Sequence, residues 1–537
     1  MREDRVLART PPPSLPAIIA LARSGALDRA KRLFDEAGLG AVTDDAATLS
    51  VHGRLLKDEA RRAGPAERAR LWQSAGDAYA RAAALSGTTY HLINAATLSL
   101  LAGERAEAEE RARQVLANLD AGDTGPETPY YLAATRAEAL LLLGQEDEAR
   151  AALEAACRRA PEAWEDHAST LRQFGLILEA VGGDAGWMAA LRPPRSLHFA
   201  GHLGVDDDAA LRARIDALLD QENVGFAWGA LAGGADVIVA EAVLARDAEL
   251  HLVLPAPVAV FRAESAAPLG GDWPARFDTV LAQATSVSVV DPTLTATTML
   301  HIRLAAEIAM GQAVMKAASL ASEAVQLLLT DPDNAASATN MIGAHWRRSG
   351  RRQTRLDPPA PSRGARRGRP LPEGPGDGVL AAMLAVAFED PDGSGRPVHS
   401  LRRAVEALAG AVRPLTTPMF AGGVLHLAFE DPAGAAGAAD RIERAFWPDG
   451  PRIAGHYGVV ELAENPFEGP PVLFGPNAGR AADLLASTPP GAVHVTESFA
   501  TALHGWTRLA SGECAYVGEL SDGEQVIALY ALARAGS

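Results

Sequence analysis

Hydrophobic and polar positions follow helical spacing through the first third of this 537-residue chain. Over residues 1–190, Ala and Leu recur every three or four residues, and short Gly or Pro breaks interrupt the pattern. Each helix of such a series exposes an apolar face that it cannot bury alone. The pattern therefore predicts a stack of helix pairs.

Shorter apolar runs follow. Between 195 and 255 the pattern predicts strand, helix, glycine-rich turn, helix and strand, within an α/β region at 191–330. Residues 331–377 are rich in Pro, Gly and Arg, which is typical of a linker. Residues 378–537 read as strand, helix, hairpin, helix and strand, with a closing strand pair. We therefore predict a multidomain α + α/β + α/β protein with these four segments.

The segment 133–161 has a small residue, Ala137, where two paired helices must approach closely, and Gly144 lies in the turn between them. The second helix has the small residue Ala149, followed by Leu153, Ala156 and Pro161. Looser copies lie at 14–37 and 92–117. The spacing resembles the tetratricopeptide (TPR) repeat. That resemblance implies a helical solenoid with a protein or peptide partner on its concave face. An intramolecular helical spacer is the alternative.

Glycines and acids cluster in the central segment: Gly201, Gly229, Gly233, Gly234, Asp236 and Glu241. Glycine-rich turns let a backbone approach a phosphate, and a helix N-terminus attracts anions. Together with a helix at 303–320, the pattern resembles the SLOG superfamily, the Rossmann-like group of DNA-processing protein A and the cytokinin-activating LOG proteins. The motif PGGxGTxxE of its phosphoribohydrolase branch is absent.

The SLOG resemblance implies a Rossmann-like parallel sheet that binds a nucleotide or nucleotide-derived ligand. Backbone near Gly201 and Gly233–Gly234 would cradle the phosphate or ribose, and Asp236 and Glu241 would accept from ribose hydroxyls. In the alternative interpretation, the glycines serve turns and helix packing and Asp236 caps a helix. His198, His202 and His251 lie on or beside predicted strands; we expect hydrogen-bonded polar side chains rather than catalytic ones.

Residues 474–503 read FGPNAGRAADLLASTPPGAVHVTESFATAL. The glycine-led helix with RAA, followed by TPPGxVxVTESFA, resembles the class III nucleotide cyclase catalytic domain. The resemblance implies a ferredoxin-like βαββαβ fold over 378–537. Because such domains work as dimers, it also implies a homodimer through this region.

The positions that match the catalytic residues of the cyclase family hold side chains that cannot bind Mg²⁺ or stabilise the transition state. Two aspartates hold two Mg²⁺ ions in class III cyclases, and their positions match Ala387 and Gly422. The transition-state asparagine and arginine match Gly479 and Asp483, and a carboxylate there repels a triphosphate. Adenine selection uses a lysine, yet no lysine follows Lys316. We therefore predict no catalytic residue and no metal site: a pseudo-cyclase.

Nearby acids leave two alternatives open. Glu389, Asp390 and Asp392 follow the first strand of this region, and Glu430 and Asp431 end its hairpin. A register shift that brought Asp390 and Asp431 to Mg²⁺ would make the chain an active adenylate or guanylate cyclase that produces cAMP or cGMP. Solvated loop acids are the other interpretation. A further alternative is a TPR scaffold without a small-molecule ligand.

Composition limits the partners and the compartment. The net charge of −17 argues against nucleic acid as a partner. No uninterrupted apolar run reaches 18 residues and the N-terminus has no apolar signal region, so neither a membrane span nor secretion is predicted. Cys157 and Cys514 are too few for a disulfide framework or a zinc site.

The stretch at 347–369 is rich in arginine. We interpret it as a solvated linker, and a basic arm that contacts an acidic partner is the alternative.

These observations predict a cytoplasmic signalling or regulatory protein. In this prediction a Rossmannoid domain senses a nucleotide-type ligand, the TPR-like region binds a partner, and the pseudo-cyclase serves as an output or dimerisation domain.

Overall fold

A computed structural model describes residues 14–122, 127–330, 337–357, 378–388, 398–447, 450–465, 469–507, 514–522 and 525–533. The chain divides into two compact units. The first ends at Leu191, and the second runs from Arg192 to Ala533 apart from residues 489–491.

The described part of the first unit is helical, as its apolar spacing predicted. Small side chains such as Ala137 and Ala149 are fully buried and let neighbouring helices approach. Gly103 ends one helix in the left-handed conformation that glycine adopts without strain. The three predicted repeat copies coincide with the first, third and fourth helix pairs of the following set: α1 (Leu15–Arg23), α2 (Leu27–Glu36), α3 (Ala46–Ala60), α4 (Pro65–Ser86), α5 (Thr89–Ala102), α6 (Arg105–Ala121), α7 (Pro129–Leu142), α8 (Glu146–Arg159) and α9 (Trp164–Val181).

The second unit begins with a parallel sheet of six strands: β1 (Arg195–Gly201), β2 (Val224–Gly229), β3 (Glu249–Leu254), β4 (Ser286–Val289), β5 (Ala324–Leu329) and β6 (Gln353–Leu356). Their order is β4-β3-β2-β1-β5-β6. The connecting helices are α10 (Ala209–Gln221), α11 (Ala235–Leu244), α12 (Val258–Ser265), α13 (Trp273–Gln283), α14 (Met299–Ser319) and α15 (Ala338–Arg348). Since the chain crosses from β4 to β5 on the other side of β1, the strand order switches beside β1, where α/β sheets usually bind ligands.

Three elements differ from the sequence prediction. Strand β2 lies where only a glycine-rich turn was expected; its run VGFAWG is covered on both faces and shows no alternation that would reveal a strand. Helix α15 and strand β6 lie inside the segment predicted as linker. Trp346 of α15 is almost fully buried although arginines flank it in sequence. The arginine-rich composition of this segment therefore did not predict that α15 is packed against the sheet. Residues 358–377 of this segment lie outside the described residues.

A second sheet follows, and its elements agree with the predicted series. Its strands are β7 (Gly378–Ala387), β8 (Met419–Ala421), β9 (Val424–Phe429), β10 (Arg452–Asn465), β11 (Gly469–Phe474), β12 (Val493–Thr496), β13 (Cys514–Asp522) and β14 (Gln525–Leu532). Its helices are α16 (Val398–Leu408), α17 (Pro432–Phe446), α18 (Arg480–Asp483) and α19 (Glu497–Trp506). The order is β13-β14-β12-β10-β7-β9-β8, and β11 pairs with β10.

Helix α14 packs against both sheets. It contacts β1, β2 and β3 of the parallel sheet as well as β7, β10 and α19 of the second sheet. Apolar residues occur all around this helix, which is typical of a helix that is buried on every side. At Gly311 a Cβ would overlap the backbone of Thr501 in α19. Helix α14 is therefore the element through which the two sheets form one unit.

Candidate functional site

The predicted ligand-binding residues lie at the carboxyl ends of β1 and β2, just before α11, and within α11. Gly201 and Gly229 end their strands, and Gly233 and Gly234 lead into the helix. The structure brings Gly201 and Asp236 into direct contact across 35 residues of sequence. The predicted cluster thus gathers at the edge of the sheet, beside the switch in strand order.

Asp236 joins two loops of this edge. Its Oδ1 accepts from the backbone N–H of Gly201 at 2.9 Å, and its Oδ2 accepts from that of Ala232 at 3.0 Å. The residue is 5% exposed, and burial raises the pKa of its carboxyl to about 7 even though both hydrogen bonds favour the ionised form. Two amides that could have faced a phosphate therefore face an internal carboxylate. The N-cap of α11 is Gly234, whose φ of +99° favours glycine, rather than Asp236.

Three of the predicted glycines lie where no side chain fits. A Cβ at Gly229 would lie 2.6 Å from the ring of Phe199. A Cβ at Gly233 would lie 2.9 Å from the carbonyl oxygen of Ser265, and one at Gly201 would overlap Ala235. Close packing explains these glycines without a ligand, so a ligand at this edge stays a prediction.

Glu241 binds arginines. Its carboxylate accepts from Arg276 at 2.7 and 2.8 Å and from Arg212 at 2.8 Å. Asp207 pairs with the same two arginines. These ion pairs link α10, α11 and α13, and they account for Glu241 without a ribose.

Each of the three histidines has a hydrogen-bond partner: His198 with Gln326 at 2.9 Å, His202 with Thr330 at 2.7 Å, and His251 with Ser286 at 2.8 Å. Burial lowers the pKa of His198 to about 3, so its ring is neutral near pH 7. These contacts are those of polar side chains within a fold.

The positions that match the two metal-binding aspartates lie side by side in the second sheet. Ala387 ends β7 and pairs with Val424, the first residue of β9. Gly422 and Gly423 form the two-residue turn just before Val424, both with positive φ, as a tight hairpin requires. A methyl group and a hydrogen atom offer no ligand to Mg²⁺. The side chains of Ala387 and Gly422 therefore do not fit the family's cation pair. Among the described residues, no group of three or more His, Cys, Asp or Glu side chains is arranged to hold a metal ion.

The other matched positions also lack the required chemistry. Gly479 precedes the short helix α18, and Asp483 is the last residue of that helix. Asp431 caps α17, because its Oδ1 accepts from the N–H of Gly434 at 2.8 Å. The neighbouring acids Glu389, Asp390 and Asp392 lie outside the described residues.

A buried acid that sequence reasoning missed joins the two sheets. Glu307 of α14 is 2% exposed and accepts from Tyr457 of β10 at 2.8 Å and from Arg303 at 2.7 Å. Burial and the nearby Glu307 raise the pKa of Tyr457, which keeps its hydroxyl protonated as a donor. His345 Nδ1 lies 3.8 Å from the same carboxylate. The pair RxxxE within an otherwise apolar helix was the signal that could have revealed it.

Further contacts extend this junction. Gln312 donates to Glu497 at 2.9 Å. Arg351, in the segment predicted as linker, donates to the carbonyl oxygens of His504 at 3.0 Å and Thr507 at 2.9 Å at the end of α19. Since helix ends leave carbonyl oxygens without intrahelical donors, Arg351 supplies donors that the end of α19 lacks.

Residues 16–99 match a family model described as Tetratricopeptide Repeats-Sensor. No curated protein sequence matches the chain. None of the described helices is long and apolar enough to cross a membrane.

Several solved structures are similar to part of the chain, and three cyclases are among them. The adenylyl cyclase CyaB from P. aeruginosa is 11% identical with a TM-score of 0.23, over 29% of this chain and 95% of that one. The guanylate cyclase domain of RhGC from Catenaria anguillulae, in complex with GTP, is 13% identical with a TM-score of 0.23, over 30% and 98%. An adenylate/guanylate cyclase/hydrolase from Silicibacter pomeroyi is 19% identical with a TM-score of 0.22, over 29% and 97%. The chain is thus similar to a TPR-type sensor family over residues 16–99 and has a weak likeness to cyclase domains elsewhere.

Proposed function

We propose that this chain is an intracellular signalling or regulatory protein whose cyclase-like region does not make cyclic nucleotides. In this proposal the TPR-like helices bind a partner and the parallel-sheet domain responds to a nucleotide-type ligand. The second sheet then acts as an output or dimerisation domain.

The neighbouring positions Ala387 and Gly422 carry the proposal. They meet at one end of the second sheet, where a pair of aspartates would be needed, and neither has a side chain that can bind a cation. Without the two ions, the 3′-hydroxyl of a nucleotide has nothing to lower its pKa, and the triphosphate charge is not neutralised. Asp483 would add repulsion to that charge.

The junction at α14 supports coupling between the two sheets. Thr298 caps the start of this helix with its side chain, and the helix follows the loop that leaves the carboxyl end of β4. About two turns further on, Glu307 binds Tyr457 of the second sheet. A movement at the start of α14 would therefore reach β10 through a single rigid element.

The ligand of the parallel sheet remains part of the proposal, with one constraint. Because Asp236 already accepts from Gly201 and Ala232, a phosphate at this edge would have to use other donors or displace the carboxylate.

A thermal-shift screen of the full chain tests whether the parallel sheet binds a nucleotide. The panel holds ATP, GTP, cyclic nucleotides, NAD and ADP-ribose, each with and without Mg²⁺. Stabilisation without Mg²⁺ is expected, and the same shift in Glu241→Gln would assign Glu241 to its arginines. No shift with any nucleotide would contradict ligand sensing and favour a scaffold.

A turnover assay tests the pseudo-cyclase directly. The full chain is incubated with Mn²⁺ and ATP or GTP, beside a working class III cyclase as the positive control. We expect no cAMP or cGMP above the protein-free blank. Product formation that Asp390→Ala abolishes would instead establish an active cyclase with displaced acids.

A further inference from the structure

A row of polar side chains crosses the parallel sheet beneath α15. His198 of β1, Gln326 of β5 and Gln353 of β6 are register partners on neighbouring strands. His198 and Gln326 are each 1% exposed, and Trp346 of α15 stacks on the ring of His198 with 6.0 Å between the ring centroids. The row therefore runs from the buried centre of the sheet to β6, the strand at its edge.

Hydrogen bonds along this row fix the orientation of Gln353. Because an amide nitrogen can only donate, Gln326 Nε2 donates to His198 Nδ1 at 2.9 Å, and Gln326 Oε1 is left to accept from Gln353 Nε2 at 2.5 Å. The same nitrogen of Gln353 donates to the carbonyl oxygen of Gly343 in α15 at 2.8 Å. Both donors of the Gln353 amide are therefore in use, and its Oε1 is directed away from the row.

Two arginines share that oxygen. Arg347, in the last turn of α15, donates from Nη1 to Gln353 Oε1 at 3.1 Å, and Arg355 of β6 donates from Nε to the same atom at 3.2 Å. The two donating nitrogens can therefore be no more than about 6 Å apart. Arg347 is exposed and Arg355 is partly exposed, so solvent reaches both guanidinium groups.

The charges of this arginine pair are not balanced by the protein that surrounds it. Among the residues that the structure describes, no carboxylate forms an ion pair with Arg347 or Arg355. Arg352, one residue before β6, is the contrast, because it pairs with Glu222 at 3.0 Å and with Glu323 at 2.8 Å. Burial and the neighbouring Arg347 lower the pKa of Arg355, as expected for two cations that meet at a neutral oxygen.

We propose that Arg347 and Arg355 form a binding site for the phosphate monoester group of a small ligand. The N–H groups of each guanidinium that do not face Gln353 can donate in pairs to phosphate oxygens. A phosphate monoester carries a charge of about −1.5 to −2 near pH 7, which matches two cations better than a single carboxylate does. Gln353 is the positioning residue, since its oxygen, oriented from the buried end of the row, holds two cations together that repel each other.

This site does not rest on the nucleotide ligand proposed for the other part of the sheet. It belongs to α15 and the edge strand β6, whereas the predicted glycines and Asp236 belong to β1, β2 and α11. Both arginines lie in the arginine-rich stretch at 347–369, so this part of the stretch holds a folded pair of cations. Because α15 also contacts α14 and α19, a ligand bound at its end would stabilise a helix that packs against elements of the second sheet.

Thermal unfolding of the full chain with inorganic phosphate, and separately with glycerol 3-phosphate, tests the proposal. A ligand that binds only the folded chain raises the unfolding temperature, and we expect a rise of about 2–4 °C at about 10 mM of at least one probe. Sodium chloride at the same ionic strength is the reference, and the low concentration keeps general salt effects small. Arg347→Gln and Arg355→Gln should each remove most of the rise. Arg262→Gln is the matched control, because it removes an arginine of the same domain that is already paired with Asp278, and the rise should persist.

Four outcomes would overturn the proposal. The first is no rise with either phosphate probe in the wild type, and the second is an equal rise in the wild type and the two arginine variants. The third is an equal rise with acetate, since a single carboxylate would then suffice. The fourth is stabilisation by a phosphoserine peptide without either small probe, because the site would then recognise a polypeptide. If Arg355→Gln does not fold, the exposed Arg347 carries the test alone.

Discussion

The two sheets of the second unit differ in what they hold at the positions where the family resemblances would place binding or catalytic residues. At the edge of the parallel sheet the expected residues are present and several meet, but the protein uses them itself: Asp236 binds the amides, and the glycines fill close contacts. At the end of β7 the expected positions meet, but Ala387 and Gly422 lack the side chains. A binding motif therefore needs the right side chains, and it needs those side chains to be free of internal partners. The parallel sheet has the side chains but pairs them internally, whereas the second sheet brings the positions together without the side chains.

The largest expected effect comes from a substitution in α14 that should make the two sheets unfold separately. Gly311→Leu would place a side chain into the backbone of Thr501, and overpacking of this kind costs about 3 kcal/mol or more because backbone cannot move aside. Scanning calorimetry should then resolve two transitions for the second unit instead of one. Gln312→Leu, which removes only the contact to Glu497, is the milder control. A single unshifted transition in Gly311→Leu would contradict the close packing of α14 and α19.

Asp236→Ala tests whether the first site is structural. Two buried amides, those of Gly201 and Ala232, would lose their acceptor, at a cost of about 3 kcal/mol in the free energy of unfolding. Urea denaturation measures the loss, and Glu241→Ala, on the same helix but half-buried, should cost about 1 kcal/mol. Equal losses in the two variants would show that Asp236 has no special structural role.

The raised pKa of Asp236 predicts a pH dependence of stability. The folded carboxyl has a pKa of about 7 against an ordinary value of 3.8, so the folded state binds the proton more tightly. The contribution is complete at low pH and is lost as the pH rises from about 4 to about 7. Relative to Asp236→Asn, the wild type should lose about 2 kcal/mol between pH 5 and pH 6.5. A difference between the two proteins that stays constant over this range would contradict the shift.

The smallest expected effect concerns Ala387 and Gly422, the positions in the second sheet that match the family's metal-binding aspartates. In Ala387→Asp/Gly422→Asp both carboxylates return; a Cβ at Gly422 meets no atom within 4 Å, and aspartate tolerates the left-handed φ of +59°. Millimolar Mn²⁺ should stabilise this variant by about 1 kcal/mol and leave the wild type unchanged, as thermal unfolding would report. If Mn²⁺ has no effect on the double variant, Ala387 and Gly422 are not the positions of the family's aspartates.

Most secondary structure followed from local pattern. The helical spacing before Leu191, the hairpin turn at Gly422–Gly423 and the closing strands β13 and β14 were all predicted, because each depends on nearby residues. Strand β2 and strand β6 were not, since one is buried on both faces and the other lies among arginines. Their place in the parallel sheet comes from partners far along the chain.

The identity of each residue, and so the chemistry of its side chain, is fixed by the sequence: the methyl group of Ala387 cannot bind a cation in any fold, and no lysine follows Lys316. Which side chains pair with each other, and in what orientation, could be seen only in the tertiary structure. Asp236 lies 35 residues from Gly201, Glu138 lies 41 from Thr97, and Glu307 lies 150 from Tyr457, yet each pair shares a hydrogen bond. Contacts over such separations depend on how helices and sheets pack, and no local spacing encodes that packing.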